Sequence, residues 1–286
     1  MTSGIDRPST TRTPSAAAVP LVGSPVAHIL SVGLGVVAVA AAAPTFFADG
    51  LLRGPAAMNG SARGTALVMM LVGVPVLLAG QLVTRRGVRR AVPIWLGSCA
   101  YLLYNAFMLL FGTPFNGVFP LYVATFSLAL WTLVAILRVL NVPAFARPGS
   151  PVGLPRAVAV ITGLLVGLNA AAWLRAILPE LGAAEPAFLA GTGLPTAPTY
   201  VQDLAVWLPL GAAAAFWLWR GLAWGYLVVA AMLSMWVVEC ITIAVDQYLG
   251  TGADPAATVV SSAMTPAFAL AAVVIAVPAG LLLRRM

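Results

Sequence analysis

Eight long apolar runs, separated by short polar segments, dominate the chain: roughly 27–43, 64–83, 92–111, 117–137, 157–178, 201–219, 222–248 and 262–283. A helix needs ~20 apolar residues to cross the hydrocarbon core of a bilayer, and the runs have about that length. The pattern predicts an all-α polytopic bundle of eight transmembrane helices, with 27–286 forming one membrane domain. Residues 1–26 are mostly Ser, Thr, Pro, Ala and Arg and read as a disordered cytoplasmic tail. Ala41-Ala42-Ala43 resembles a signal-peptidase site. The long polar lead and Pro44 directly after it favour a retained helix instead.

Proline interrupts two runs at comparable places, Pro75 in the second and Pro209 in the sixth, each about ten residues before a basic turn. A four-plus-four parallel repeat would make these two positions equivalent. In the fifth run Gly163 and Gly167 form a small-xxx-small pair, which predicts close packing inside the bundle rather than dimerisation.

Composition sharpens this picture. The chain is 61% hydrophobic and 8% charged, against about 25% charged in a soluble domain, so a water-soluble fold is excluded and the bilayer is the first partner. The net charge of +7 does not point to nucleic acid, because the arginines cluster at the ends of the apolar runs. All 15 basic residues are Arg. With so much Ala, Gly and Pro, this reads as a high-GC bacterial genome, and hence as a multi-pass protein of the bacterial plasma membrane. With the N-terminus inside, only Arg53 and Arg63 fall in an outer loop and Arg175 within a span; the others lie on the inner side. Both termini are therefore expected in the cytoplasm.

The candidate chemistry lies on the seventh run, which holds Glu239 and Asp246. A carboxylate within the bilayer costs a few kcal/mol and needs a partner, a proton or water. Spaced seven apart, the two acids share a helical face with Thr242, roughly 10 Å apart along the axis. Asp203 opens the sixth run, where the helix dipole would favour it as a cap. Arg175, near the outer end of the fifth run, shares a depth with Asp203 and Asp246, although its long side chain can equally snorkel to water. On the third run Tyr101, Tyr104, Asn105 and Met108 follow the spacing of one helical face. Tyr122 and Thr125 of the adjacent fourth run are placed to meet them. Thr162 and Asn169 share a face of the fifth.

Absences exclude several classes. The one histidine, His28, cannot supply a bis-histidine haem or a zinc-protease motif. No phosphate-binding glycine loop and no GxSxG nucleophile motif is present. Cys99 and Cys240 lie within apolar runs without a CxxC partner and read as small buried residues. No cofactor and no metal site is implied.

Several strings resemble a group of bacterial, actinobacterial-like polytopic membrane proteins. They are Tyr101-x-x-Tyr104-Asn105, Phe115-Asn116, Leu121-Tyr122-Val123-Ala124, Gly193-Leu194-Pro195-Thr196-x-Pro198-x-Tyr200-Val201-x-Asp203-Leu204 and Trp224-Gly225-Tyr226. The resemblance implies polar and aromatic residues at the outer ends of the third, fourth and sixth helices, and no particular reaction.

The leading expectation is small-solute binding or transport through an outer-half polar cavity. Glu239, Asp246, Asp203, Asn105, Tyr104 and Arg175 would line it, with coupling to protons through Glu239. The alternatives are a structural or regulatory membrane subunit whose polar residues only knit helices, and a membrane-embedded enzyme. Short outer loops with few paired acids argue against the enzyme.

Overall fold

The computed structural model describes residues 24–146 and 153–286. The predicted tail up to residue 23, and Arg147 of a basic loop, lie outside the described residues. The described chain is all-helical, with no strand among the described residues, and eight of its helices are long and apolar enough to cross a membrane. They are α1 (Pro25–Phe47), α2 (Ala56–Arg85), α3 (Ala91–Gly112), α4 (Phe119–Val139), α5 (Gly153–Ile177), α6 (Pro198–Trp219), α7 (Ala223–Ala253) and α8 (Met264–Leu283). Ser24 and Met286 fall on one face of the bundle, because the number of spans is even. That face also carries the arginine-rich turn at 86–90 and the turn at 220–222 with its single Arg220, and is called the terminal face below.

Most spans match the apolar runs, and the departures have local causes. α1 continues through Pro44 to Phe47. α2 begins at Ala56, eight residues before the apolar run, so Asn59, Gly60 and Arg63 are helical rather than in a loop. Asn59 anchors that start: its amide donates to the carbonyl of Gly54 at 2.8 Å, and its oxygen accepts from the Gly54 N–H at 3.1 Å. α7 runs five residues beyond the apolar stretch, to Ala253. Its extra turns pack on the early turns of α2, where Gly60 faces the carbonyl of Leu249 and Gly250 faces Ser61 and Ala57.

α7 is the central helix, packed against α2, α3, α6 and α8. Its burial on several sides explains why it has no single apolar face: Tyr226, Leu227, Met232, Leu233, Met235 and Val238 are all buried. α5, with α4 and α8, is among the most exposed spans; α5 and α8 present Leu164, Leu168, Leu270, Val273 and Val274 outward, as suits helices that face acyl chains.

Proline is accommodated in α2 and α6 by a widened turn. Met69–Gly73 and Asp203–Trp207 are π-helical, each ending just before its proline. Proline lacks an N–H and its ring crowds the carbonyl four residues back. The wider i→i+5 turn relieves that conflict inside the membrane, where a free carbonyl has no water to bond.

The glycine pair of α5 departs from expectation. Both Gly163 and Gly167 are exposed, and an added Cβ at either would meet nothing within 4 Å. α5 instead packs on α6 through Val158, Ala159, Thr162 and Val166. The glycine that permits this approach is Gly211 of α6, whose added Cβ would stand 2.8 Å from Val166. Gly163→Ala and Gly167→Ala are therefore expected to change unfolding free energy by no more than about 0.5 kcal/mol, read from thermal melts in detergent. A loss of more than ~1.5 kcal/mol would mean these glycines are packed after all.

Candidate functional site

The polar face of α3 is turned toward the second half of the chain. Tyr101 Oη and Thr242 Oγ1 of α7 are hydrogen-bonded at 2.8 Å. One turn on, Asn105 Nδ2 donates to Glu239 Oε2 at 2.7 Å and to the Tyr101 carbonyl at 3.1 Å. Tyr104 packs on the Trp207 ring of α6, and its hydroxyl is close enough to Asp203 to donate toward the carboxylate. Met108 Sδ accepts from Thr199 Oγ1 at 3.4 Å. The helical spacing in α3 is thus used in full, and all four residues reach α6 or α7.

Asp203 does not cap a helix. α6 begins at Pro198, so Asp203 sits within it, in the π-helical turn, and accepts from Trp173 Nε1 of α5 at 2.8 Å. Asp246, two turns on along the same face of α7, meets α2 instead of α3, and its Oδ2 accepts from Thr65 at 2.9 Å. Its Oδ1 is buried without a hydrogen-bond partner among the described residues. Asp203 and Asp246 both act electrostatically on the neighbourhood of Glu239. The three acids, with Asn105 and Tyr104, therefore form one polar system spread across α2, α3, α5, α6 and α7.

Arg175 is not part of that system. It is exposed on α5 and makes no salt bridge among the described residues. The one salt bridge among them joins Arg63 to Asp49 at 3.0 Å. Tyr122 also turns away from α3, sharing a 2.6 Å hydrogen bond with Thr45 of α1. Asn169 is exposed on α5. Cys99 and Cys240 are buried free thiols. Among the described residues no cluster of His, Cys, Asp and Glu could hold a metal ion.

Four contributors escaped sequence reasoning. Thr65 and Trp173 supply donors to the acids, and Gln202 links Trp207 Nε1 at 3.3 Å with the Tyr104 carbonyl at 3.5 Å. The only signal for Gln202 was a polar residue beside Asp203 at the start of an apolar run. The fourth is Arg63, on a cleft of about 520 Å³ between the ends of α1, α2 and α7. Asp49, Asn59, Arg63 and Leu249 line that cleft, and none of the six predicted residues does. Gly64, one residue on from Arg63, packs directly on Asp246.

The chain has no match among family models, curated proteins or solved structures. The functional reading therefore rests on the geometry of these residues.

Proposed function

We propose that the protein is a bacterial plasma-membrane protein that binds or transports a small solute, coupled to a proton or another small cation at Glu239. One observation carries this reading: three carboxylates, Glu239, Asp203 and Asp246, stand within the helix bundle, and among the described residues none is paired with a basic side chain. Charges of one sign inside a low-dielectric bundle repel one another and lose their hydration. Each must be neutralised by a proton or a cation, and a group that takes up and gives back such an ion can couple it to a solute. The cleft beside Arg63 is the entrance we assign to that solute, on the face opposite the termini.

The orientation proposed with this function puts both termini in the cytoplasm, since the basic turns 86–90 and 220–222 lie on the terminal face. A reporter active only in the cytoplasm, fused after Met286, is expected to be active, whereas one fused after residue 257, between α7 and α8, is expected to be silent. The reverse result would invert the assignment of the cleft.

The functional test uses proteoliposomes with an entrapped pH dye, or with ²²Na⁺ outside, challenged by a panel of amino acids, sugars and carboxylic acids. The wild type is expected to move the ion when one solute is added, and Glu239→Gln to slow that movement at least about tenfold. Equal rates in the two proteins would sink the reading. The rival, a structural or regulatory subunit, has one observation in its favour: each acid already accepts a hydrogen bond from a neighbouring helix. In that case Glu239→Gln would lower folding yield and leave no ion or solute response to lose.

A further inference from the structure

The two proline-containing helices match in register as well as in kind. Their π-helical turns are Met69–Gly73 and Asp203–Trp207, each closed by an i→i−5 hydrogen bond, Val74 N–H to Met69 and Leu208 N–H to Asp203. The α-helical segments that follow, Val74–Arg85 and Leu208–Trp219, have equal length and carry proline at their second residue. Both end on Arg-Gly: Arg86-Gly87 and Arg220-Gly221, with the glycines at φ 79° and 73°. The glycine N–H bonds also match, Gly87 to Thr84 and Gly221 to Leu218, both at 2.9 Å. Every one of these pairs is separated by 134 residues.

The same separation continues into α3 and α7, and there the equivalent residues touch each other. Gly97 pairs with Ala231, and a Cβ added to Gly97 would run into the Ala231 carbonyl oxygen. Asn105 pairs with Glu239, and the two are hydrogen-bonded at 2.7 Å. In a symmetric arrangement, a position contacts its own equivalent only on the axis that relates the copies. Packing agrees in the order of neighbours, since α1 to α4 follow one another in contact, as do α5 to α8, and α3 lies against α7; the copies differ in that α2 packs along α7 whereas α6 meets α3 mainly through its first turns.

We infer that the chain is a duplicated four-helix unit whose copies meet along α3 and α7, and that the coupling ion is held at the axis on the Glu239 carboxylate, beside its equivalent, Asn105. This rests on the proposed function, and adds to it the place of the ion and the parts that move. One copy supplies the carboxylate and the other an amide, so the site takes a single small monovalent cation, the proton included. Each copy carries its own π-helical turn and proline beside the axis, where the helix has lost a regular hydrogen bond and bends most readily. Rocking of one copy against the other about these turns would open the Asn105–Glu239 contact to one side of the membrane and then the other.

The test exchanges the two groups across the contact with isosteric replacements, Asn105→Asp together with Glu239→Gln, beside each single variant. The full-length protein in nanodiscs is assayed for ²²Na⁺ binding and, separately, for proton release on a pH jump, which tells the two ions apart. Glu239→Gln alone is expected to weaken the active arm at least about tenfold, the loss of one charged contact, and the double exchange to restore it to within about threefold. A double variant that folds but is as inactive as Glu239→Gln overturns the axial site while leaving the proposed function standing. A wild type silent in both arms overturns both. Should the double variant not fold, Asn105→Glu with Glu239→Asn takes its place. Failure of both pairs to fold would show that the two positions are not interchangeable, and would overturn the inference.

Discussion

Gly64→Leu is expected to cost about 3 kcal/mol or more of stability, enough to prevent the protein from accumulating in folded form. An added Cβ at Gly64 would meet the Asp246 carboxylate, and would stand 2.8 Å from its Cα and 2.9 Å from its backbone nitrogen. Two of these obstacles are main chain in the middle of a rigid helix, so no rotamer change relieves them. α2 would have to move away from α7 along a seam that includes Gly60 against Leu249, 2.5 Å from an added Cβ, and Gly250 against Ser61. The Thr65–Asp246 and Ser61–Asp246 hydrogen bonds lie on the same seam and would be lost with it. In a membrane, close approach of small residues supplies much of the helix–helix attraction, because lipid is as apolar as the helices. Denaturant titration in detergent micelles checks the prediction, with Gly163→Leu as the exposed control. Similar melting of Gly64→Leu and wild type would contradict the packing of α2 on α7.

Trp95→Ala is expected to cost about 2–4 kcal/mol. That is somewhat less than in a soluble core, because the unfolded span returns its side chain to lipid rather than to water. Trp95 is fully buried near the terminal face and joins three helices. Its Nε1 donates to Ser31 of α1 at 2.9 Å, and its ring stacks on His28 at 4.9 Å with the planes 10° apart. Gln81 of α2 holds His28 from the other side through the His28 carbonyl at 2.8 Å. Gly80 admits the arrangement, since a Cβ there would lie 3.0 Å from the Trp95 nitrogen. Trp95→Phe keeps most of the ring and loses the hydrogen bond to Ser31, so about 1 kcal/mol is expected for it. The gap between the two variants separates packing from hydrogen bonding. Equal melting temperatures for Trp95→Ala and wild type would show that the cavity collapses without cost.

Glu239 and Asn105 bear on both functional readings. A hydrogen bond between them knits α3 to α7 whether or not an ion is bound, which is why the isosteric exchange is more telling than removal of either group. Removal disturbs packing and charge together. Exchange keeps the shape of each side chain and moves only the carboxylate.

The apolar runs by themselves determined the fold class and the number of spans, because the bilayer allows a backbone so few ways to satisfy its polar groups. The spacing of Tyr101, Tyr104, Asn105 and Met108 likewise marked one face of α3, since helical period is a local property. The same rule failed for Gly163 and Gly167. A pair of small residues permits close packing but does not say which helix approaches, and here none does. The starts of α2 and α6 were misjudged because Ala56–Arg63 and Pro198–Tyr200 are helical without being strongly apolar, held by Asn59 and by packing on α7 and α3. Only the tertiary structure decided that Asn105 meets Glu239, that Asp246 turns to Thr65, that Asp203 lies in a π-helical turn instead of capping, and that Arg175 pairs with none of them. These are contacts between residues 30 to 181 positions apart. Hydropathy places a residue at a depth in the membrane, but the rotation of each helix about its axis, which selects its partners, is set by packing against the others.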